Sequence, residues 1–336
     1  MVELHPYTDI HGREYAVIIT KATYTVNPAT TSLSISPNQV PIQKEDQYHA
    51  EPGQSSISYP SDLSPIKKAT DVLVLGHAYA PDGYTSSSVD VSLCVGDRQE
   101  TVRVFGDRRW EKRSGSWHMS EAEHFERKAL VFENAYGGVE PSPEQSEETP
   151  DMTRMFCEAN PIGKGFASPK SASGLIKNLP LPNIENLSQL IQSPLDQPLP
   201  SGFAAVAQNW QPRLQYAGTY NDTWQTERMP LLPLDFDSHF FNVALPQCQF
   251  IPHLTDKTPI SLQNASPSGL FSFALPNESI VINAMIKGSK QRSRAMLDTI
   301  LIEPDADSVM LTWRTTIPCF RKFLYIDSVD IHKEKL

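Results

Sequence analysis

The sequence has little glycine and little cysteine. Its 336 residues include 16 glycines against 28 prolines. Because proline cannot lie inside a helix or a central strand, this balance predicts many short elements joined by ordered loops and excludes a long helical bundle. The four cysteines, at 94, 157, 248 and 319, form no Cys-x-x-Cys pair. We expect them to be reduced thiols that act as small apolar residues in the core of a cytoplasmic protein.

Basic residues and long apolar runs are also scarce. Lysine and arginine together number 29 against 39 acidic residues, which gives a formal net charge of -10. Nucleic acids and anionic membranes require a cationic surface, so we expect neither as a partner, whereas a basic protein fits this charge. No run approaches the roughly 20 apolar residues of a membrane-spanning helix, and the first ten residues lack the features of a secretory signal. A cytoplasmic location is therefore expected.

Familiar catalytic and metal-binding motifs are missing as well. Gly163-Lys-Gly165 lacks the spacing of a phosphate-binding loop, and the chain contains no Gly-x-Ser-x-Gly sequence. None of the nine histidines forms a His-Glu-x-x-His pair or lies near a cysteine at zinc-finger spacing. We expect no enzyme activity, no catalytic residue, no metal and no cofactor. His77, which lies in an apolar run, is expected to be a satisfied core residue, and His239 is expected to be structural.

The chain does contain many short sequence patterns that are typical of β-strands. Short runs of alternating, β-branched or aromatic residues recur between turn residues, and this pattern is typical of strands. The fold class that we predict is mainly β, with two sandwich-like halves that contain the sheets, an irregular proline-rich middle between them and few short helices. The predicted strands and hairpins are Glu14 to Val26, Asp71 to Tyr79 with a bulge or a close backbone approach at its glycine, a hairpin from Val89 to Phe105, Leu270 to Leu275, Ser279 to Ile286, and a hairpin from Leu297 to Arg314 whose loop is Glu303 to Asp307.

Changes in composition suggest three segments. Residues 1–139 form an N-terminal β domain in this prediction, residues 140–204 an acidic loop and crossover, and residues 205–336 a C-terminal β domain. The stretch Glu140 to Asp151 has five acids, three prolines and no base, so we expect a solvated loop. A helical turn is predicted between Leu187 and Ile191.

The stretch from Trp210 to Gln247 is the densest in aromatic residues. Aromatic rings bring large apolar area and arginine brings a planar hydrogen-bonding fork, which suits both a core between domains and a binding surface. Both interpretations stay open at this point. Asn221 or Asp222 is expected to cap a short helix through Arg228, with Gln225 completing a capping box. The candidate partner-binding residues are Trp210, Arg213, Tyr216, Tyr220, Trp224, Arg228, Asp235, Asp237, Phe240 and Phe241.

Two groups of closely spaced carboxylates need separate consideration. Asp235 and Asp237 share a face if the chain is extended, and Glu303, Asp305 and Asp307 repeat that spacing. We expect the first two to pair with Arg213 or Arg228 and the other three to form a solvated hairpin tip. The alternative is a carbohydrate-active hydrolase that uses Asp235 or Asp237 with Glu303, since glycosidases need only a pair of carboxylates.

Several short motifs, in a fixed order, resemble one bacterial family. They lie at residues 70–78, 104–110, 132–138, 160–166, 181–185, 210–213, 217–220, 224, 232–237, 240–241, 297–305 and 313–314, and read TDVLVLGHA, VFGDRRW, FENAYGG, NPIGKGF, LPNIE, WQPR, AGTY, W, LPLDFD, FF, LDTILIEPD and WR. The set is similar to a family of type VI secretion adaptors that was long known only as a domain of unknown function. The resemblance covers nearly the whole chain.

This resemblance implies a cytoplasmic, non-enzymatic loader in bacteria. Members are implied to bind a toxic effector and to help it reach the secretion spike through a VgrG or PAAR protein. The resemblance carries no role for any individual residue. Two alternatives to a loader stay open: the carbohydrate-active hydrolase, and a structural subunit of the injection apparatus itself.

Overall fold

The computed structural model describes residues 1–27, 29–141, 155–168, 173–319 and 323–335. Strands account for 44% of the protein and helices for 9%, so the predicted mainly β class is confirmed. No helix in these ranges is long and apolar enough to cross a membrane. Most of the predicted acidic loop, Glu140 to Asp151, lies outside the described residues.

The strands are short and numerous, as the proline content predicts. They are β1 (Val2–Thr8), β2 (Glu14–Asn27), β3 (Ser32–Ile35), β4 (Gln47–Tyr48), β5 (Ile57–Tyr59), β6 (Thr70–Val74), β7 (His77–Tyr79), β8 (Ser88–Val95), β9 (Arg98–Phe105), β10 (Trp110–Arg113), β11 (Ser116–Met119), β12 (Arg127–Ala129), β13 (Tyr136–Gly137), β14 (Lys164–Gly165), β15 (Ile184–Asn186), β16 (Gln249–Phe250), β17 (Pro259–Gln263), β18 (Leu270–Ala274), β19 (Glu278–Ile286), β20 (Ser289–Arg294), β21 (Met296–Glu303), β22 (Ser308–Pro318) and β23 (Ile326–Lys335). The described α-helices are α1 (Ser173–Ile176) and α2 (Asp222–Glu227). Single 3-10 turns lie at Pro81–Gly83, Phe132–Asn134, Leu214–Tyr216, Ser238–Phe241, Pro246–Cys248, Pro304–Ala306 and Phe323–Tyr325.

Two larger sheets form the body of the fold. A seven-stranded sheet has the order β1-β2-β22-β21-β6-β16, with β3 paired to β2, and a five-stranded sheet has the order β15-β9-β8-β17-β18. One cluster of buried apolar side chains contains residues of both sheets, among them Val72, Ile300 and Leu311 from the first and Val91 and Leu262 from the second. The apolar core therefore lies between the two sheets, as in a sandwich.

Each larger sheet contains strands from before residue 139 and from after residue 205. In the seven-stranded sheet β2 pairs with β22 and β6 pairs with β21, and in the five-stranded sheet β8 pairs with β17. The boundaries proposed from the sequence therefore do not separate one sheet from the other. Long-range strand pairing decides this arrangement, and composition along the chain does not report it.

Local predictions for individual elements had mixed outcomes. The hairpin between 89 and 105 is confirmed as β8 and β9, and the loop from Glu303 to Asp307 does join β21 to β22. The run from Asp71 to Tyr79 was predicted as one strand, and this is wrong. It forms β6 and β7, which lie in different sheets, because the chain bends at Gly76. The backbone also passes close to a neighbour at this residue, since an added Cβ on Gly76 would lie 3.3 Å from Pro304 Cδ. The predicted helical turn at Leu187 to Ile191 is also wrong, since this stretch is a non-helical turn whose Ile191 amide donates to the buried Glu185 carboxylate.

Close backbone packing explains the Gly163-Lys-Gly165 motif, which superficially resembles a phosphate-binding loop. β13 and β14 pair in parallel, so Gly137 lies opposite Gly165. An added Cβ on Gly137 would lie 2.1 Å from the Asn160 carbonyl oxygen, and one on Gly163 would lie 2.4 Å from Asn160 Nδ2. The glycines are needed for close backbone packing, and this packing accounts for the motif.

A row of polar residues crosses one face of the seven-stranded sheet and is buried. Lys21, Thr312, Thr299 and Asp71 lie directly opposite one another on four adjacent strands. Residues 36–67, here called the covering segment, lie over this row: Lys21 Nζ is 2.7 Å from Asp62 Oδ2, and Lys67 Nζ is 2.8 Å from Asp71 Oδ2. These ion pairs satisfy charges that burial would otherwise make costly. The sheet is thus covered on both faces, and the polar row lies among buried apolar residues such as Ile19 and Leu301.

Candidate interaction surface

The segment that begins at Trp210 starts inside the core. Trp210 is 4% exposed and packs edge-to-face on Phe132, with ring centroids 5.6 Å apart. Arg213 is also buried: its Nη1 donates to the Val206 carbonyl at 2.6 Å and its Nε donates to the Phe240 carbonyl at 3.0 Å. Burial lowers the pKa of the guanidinium, while the nearby carboxylates of Asp46 and Asp71 oppose that shift. These two residues anchor the segment.

The segment returns to the core at Asn242. The Asn242 amide donates to Asp71 Oδ1 at 3.1 Å and to the Ala69 carbonyl at 3.0 Å, and the Val243 amide donates to Asp71 Oδ2 at 2.9 Å. Asp71 is fully buried and also carries the ion pair to Lys67. The buried carboxylate of a central strand therefore fixes the far end of the segment.

Between these two ends, residues 214–241 form a surface excursion that we call the aromatic lobe. Its only α-helix in the described structure, α2, is capped by Asn221, whose Oδ1 accepts the Trp224 amide at 2.9 Å. Of the two caps that the sequence allowed, Asn221 is the one used. The residue three positions after this cap is Trp224, so Gln225 does not lie at the capping-box position, and its main-chain amide makes the ordinary helix bond to the Asn221 carbonyl. The helix ends at Arg228, before Pro230, as predicted.

Contacts within the lobe hold its aromatic residues in place. Tyr220 and Trp224 meet edge-to-face with centroids 4.7 Å apart, and Trp224 Nε1 donates to the Leu231 carbonyl at 2.8 Å. Arg228 Nη2 donates to the carbonyls of Leu232, at 2.9 Å, and of Ile10, which lies in the turn between β1 and β2. The lobe is therefore tied to the rest of the molecule at its middle as well as at its ends.

Among the described residues Asp235 and Asp237 pair with no arginine, so the predicted pairing with Arg213 or Arg228 is wrong. Asp235 accepts the Thr219 amide and hydroxyl at 3.0 and 2.7 Å. Asp237 Oδ1 accepts the His239 amide at 2.9 Å and lies 2.8 Å from His239 Nδ1. The physical reason is that the described bonds of Arg213 and Arg228 run to main-chain carbonyls, while each aspartate closes a local turn. His239 is structural in this contact, as expected.

Phenylalanines form the part of the lobe nearest the covering segment. Phe236, Phe240 and Phe241 are mutually in contact, with centroids 5.4 to 5.9 Å apart. Tyr216 packs on the His239 ring at 5.4 Å. A cleft of about 570 Å³ lies between this group and the covering segment, and a second cleft of about 510 Å³ lies between the lobe and the β1–β2 hairpin. The two clefts leave two sides of the lobe accessible, one next to the covering segment and one next to the β1–β2 hairpin.

Sequence reasoning missed the most exposed apolar residues of the lobe. The side chains of Leu214, Tyr220, Met229 and Leu234 are between 46% and 66% exposed, and of these the sequence analysis named only Tyr220. Large apolar side chains left in water on an anchored loop are typical of a protein-binding surface. The signal in the sequence was weak, because isolated leucines and a methionine among prolines look like ordinary loop residues.

The carboxylates of the hydrolase alternative lie in separate local networks. Glu303 accepts a hydrogen bond from the Tyr59 hydroxyl, and burial raises its pKa while that bond and Lys21 lower it. Its neighbour Asp305 lies 2.7 Å from His77 Nδ1 and accepts the Tyr79 hydroxyl at 2.8 Å. His77 is thus satisfied as expected, but it is one-third exposed and not in the core. No bond in the described structure joins Glu303 to Asp235 or Asp237.

In the described residues, no group of three or more histidine, cysteine or acidic side chains is arranged to hold a metal ion. The free thiols of Cys248 and Cys319 are buried, and burial raises the pKa of both.

Comparison with known proteins identifies the family. A family model described as an uncharacterized protein conserved in bacteria, DUF2169, matches residues 11–314. Comparisons with curated proteins and with solved structures found no match. The matched range includes the covering segment, the whole aromatic lobe and the strands from β2 to most of β22. The chain therefore belongs to the DUF2169 family of bacterial proteins.

Proposed function

We propose that this chain is a non-enzymatic adaptor that binds a type VI secretion effector and helps load it onto a VgrG or PAAR spike protein. The observation that carries the proposal is the aromatic lobe, a loop anchored at both ends by buried polar contacts and with apolar side chains exposed between them. An anchored loop loses little conformational freedom when a partner binds, and this favours recognition.

The resemblance of the sequence motifs supplies the biological context of the proposal. The motifs that resemble secretion adaptors fall both in the lobe and in the parts that anchor it, including Trp210, Arg213 and Asp71. In this proposal the buried motif residues maintain the scaffold and the exposed residues of the lobe contact the effector.

Charge adds a second element to the proposal. With a net charge of -10, the chain attracts basic surfaces at long range, which accelerates association with a basic region of an effector. Salt screens such attraction over a Debye length of about 8 Å at physiological ionic strength. Slower association of the effector in high salt is therefore expected, and an association rate that does not depend on salt would count against this element.

The test is co-purification of this chain with a type VI toxin and a VgrG or PAAR protein, which the proposal expects to be encoded in neighbouring genes. The expected result is a complex of the chain with free toxin, and loss of toxin secretion when the chain is deleted. Replacing Tyr220, Met229 and Leu234 together by serine is expected to weaken toxin binding by at least about tenfold, because such residues anchor interfaces. The thermal unfolding of this variant should stay close to that of the parent protein, since exposed substitutions change stability by only about 0.5 kcal/mol each.

Leu199 provides the matched control, because it is 73% exposed and lies outside the lobe. Leu199→Ser should bind toxin like the parent protein. Equal weakening by the control and by the lobe variant would remove the lobe from the interface. If the chain remained with assembled secretion particles and was never found with free toxin, it would be a structural subunit and the adaptor proposal would fail.

A further inference from the structure

The strand β20 is the edge of a small sheet with unusual chemistry. Its sheet has the order β20-β19-β23, and β20 pairs only with β19 among the described strands. The sequence of β20 is Ser-Lys-Gln-Arg-Ser-Arg, with three cations in six residues of a protein whose net charge is -10. An edge of this kind presents unpaired main-chain groups to solvent.

The register shows which main-chain groups these are. Lys287 and Gly288 have φ values of +48° and +73°, typical of a two-residue type I′ hairpin that places Ile286 opposite Ser289. The Ala295 amide donates to the Ile280 carbonyl at 2.9 Å, and hydrogen-bonded pairs alternate along an antiparallel ladder. The intervening residues, Lys290, Arg292 and Arg294, therefore direct their N–H and C=O groups away from β19. The three outward-facing residues of β20 are also its three cations.

The side chains of these residues lie on the solvent face of the sheet. The opposite face carries Ile280, Ile282, Ala284 and Ile286, which belong to the main core. On the β20 strand itself, Ser293 Oγ lies 2.7 Å from Thr315 Oγ1 of β22, so β20 is held against the seven-stranded sheet. The cationic edge is therefore both exposed and fixed in position.

Existing ion pairs leave most of this charge available. Arg292 pairs with Glu334, but the two side chains are 62% and 44% exposed, and such surface pairs contribute little. Lys290 and Arg294 have no ion pair in the described parts of the chain. Glu278, which lines a small cleft together with Arg294, is bonded to Lys333 at 2.9 Å.

We propose that the outer edge of β20 is a strand-addition site for an extended acidic segment of a partner protein, with glutamate or aspartate at alternate positions. In such a segment each second residue lies directly opposite Lys290, Arg292 or Arg294 and shares their face of the sheet. Its main chain bonds the outward N–H and C=O groups while its carboxylates meet the cations. This site is distinct from the aromatic lobe and does not depend on the adaptor proposal.

Two competing roles for the β20 cations predict different binding behaviour. Basic residues on an edge strand also protect it from aggregation, and in that case no segment binds. A nucleic acid would use the cations but not the strand register or the outward main-chain groups of β20. The coincidence of outward main-chain groups and cations at the same three positions favours a protein segment.

The experiment uses the full-length chain and a fluorescent heptapeptide with glutamate at its second, fourth and sixth positions and threonine or valine elsewhere. Anisotropy is measured at low and at physiological salt. One control peptide groups the three glutamates together, and another carries N-methyl groups on the glutamates, whose N–H groups would face β20. The expected result is binding of the first peptide, weaker binding of the grouped peptide and none of the N-methylated one.

Variants then locate the site on β20. Lys290→Glu with Arg294→Glu should weaken binding by about tenfold or more, since two attractive cross-strand pairs become repulsive. Arg109→Glu with Lys177→Glu is the matched control, because both residues are exposed and lie outside β20 and its small sheet. This double variant should change binding little. Arg292→Ala should weaken binding about two- to fivefold, whereas Arg292→Pro, which also removes an outward N–H, should abolish it.

Three outcomes would overturn the proposal. They are equal binding of the N-methylated peptide, tighter binding of a single-stranded oligonucleotide than of the peptide, and no binding of any peptide to the parent protein. Circular dichroism and thermal unfolding of each variant separate loss of the site from loss of the fold.

Discussion

The two ends of the aromatic segment and its middle have opposite roles in the structure. At the base, Arg213 and Asn242 are buried and bonded to main-chain and carboxylate groups of the core. At the tip, Tyr220 and Leu234 are more than half exposed. The difference teaches that an aromatic and arginine-rich stretch can be part core and part surface. The question of whether it is a domain core or a binding surface thus has one answer at its two ends and the other in its middle.

The chemistry of the two parts differs as well. The base depends on buried charge, which is stabilising only while every partner is present. The tip depends on local turns, in which Asp235, Asp237 and Asn221 each cap a few neighbouring amides. Damage at the base should therefore affect the whole fold, and damage at the tip should remain local.

The largest expected effect is at Asp71. Asp71→Ala leaves Lys67 buried without its carboxylate and removes the acceptor of the Asn242 amide and of the Val243 amide. Breaking a buried pair in this way costs about 3–5 kcal/mol. Urea denaturation should show this loss in the free energy of unfolding.

Asp90→Ala is the comparison for that experiment. Asp90 pairs with Arg103 at 2.7 Å, but its side chain is 41% exposed, so the loss should stay below about 1 kcal/mol. If both variants lost the same stability, the buried base would have no special role.

The second effect is at Arg213. Arg213→Ala leaves the carbonyls of Val206 and Phe240 without their donor and removes the contact of the guanidinium with the Phe240 ring, 5.4 Å from its centroid. Each unsatisfied buried group costs about 1–3 kcal/mol, and because Val206 is buried but Phe240 only partly so, a loss of about 2–4 kcal/mol is expected. Arg228→Ala, which affects a half-buried arginine, should cost less in the same denaturation assay.

A smaller and local effect is expected at Asn221. Asn221→Ala removes the cap of α2 and should weaken that helix by about 1 kcal/mol. Hydrogen exchange of the Gln225 and Arg228 amides should become faster while the amides of β22 stay unchanged. Asp222→Ala is the control, since Asp222 is not the cap, and it should leave the exchange of these amides nearly unchanged.

The smallest effect concerns the titration of Asp237. Partial burial alone would raise its pKa, but bonds from the His239 amide and ring and the charge of Lys68 lower it below the ordinary value. A folded-state pKa below the unfolded value of about 3.9 means that the stabilisation is present above that pH and is lost as the pH falls through the folded-state pKa. An NMR titration should place the pKa of the Asp237 carboxyl below that of a model peptide, and Asp237→Asn should reduce the acid sensitivity of the lobe. A value at or above the ordinary one would contradict the cap.

Much of the β structure was predictable because its signals are local. Alternating valines and a leucine in β8, followed by a Gly-Asp turn, gave the hairpin with β9. The strand β2 was predicted for its β-branched content, but its continuous burial was not expected, since polar residues such as Lys21 are normally outside. The covering segment buries that face, and its contacts are distant in sequence.

The candidate surface was only partly predictable. The sequence pointed to the correct segment, because the density of aromatic residues is a local property of the chain. It assigned the wrong partners to Asp235 and Asp237, since charge pairing was assumed where main-chain carbonyls satisfy the arginines. It also missed Leu214, Met229 and Leu234, because exposure depends on what packs nearby.

The sequence by itself determined the mainly β class, the short elements and the location of the aromatic segment, because these follow from residue types and spacing over a few positions. Only the tertiary structure decided that both larger sheets combine distant strands, that Asp71 is buried against Asn242 and that Lys67 is buried against Thr299. It alone also decided that the ends of the aromatic segment lie in the core while its middle faces solvent. Strand pairing and burial join residues hundreds of positions apart, and no local pattern encodes such contacts.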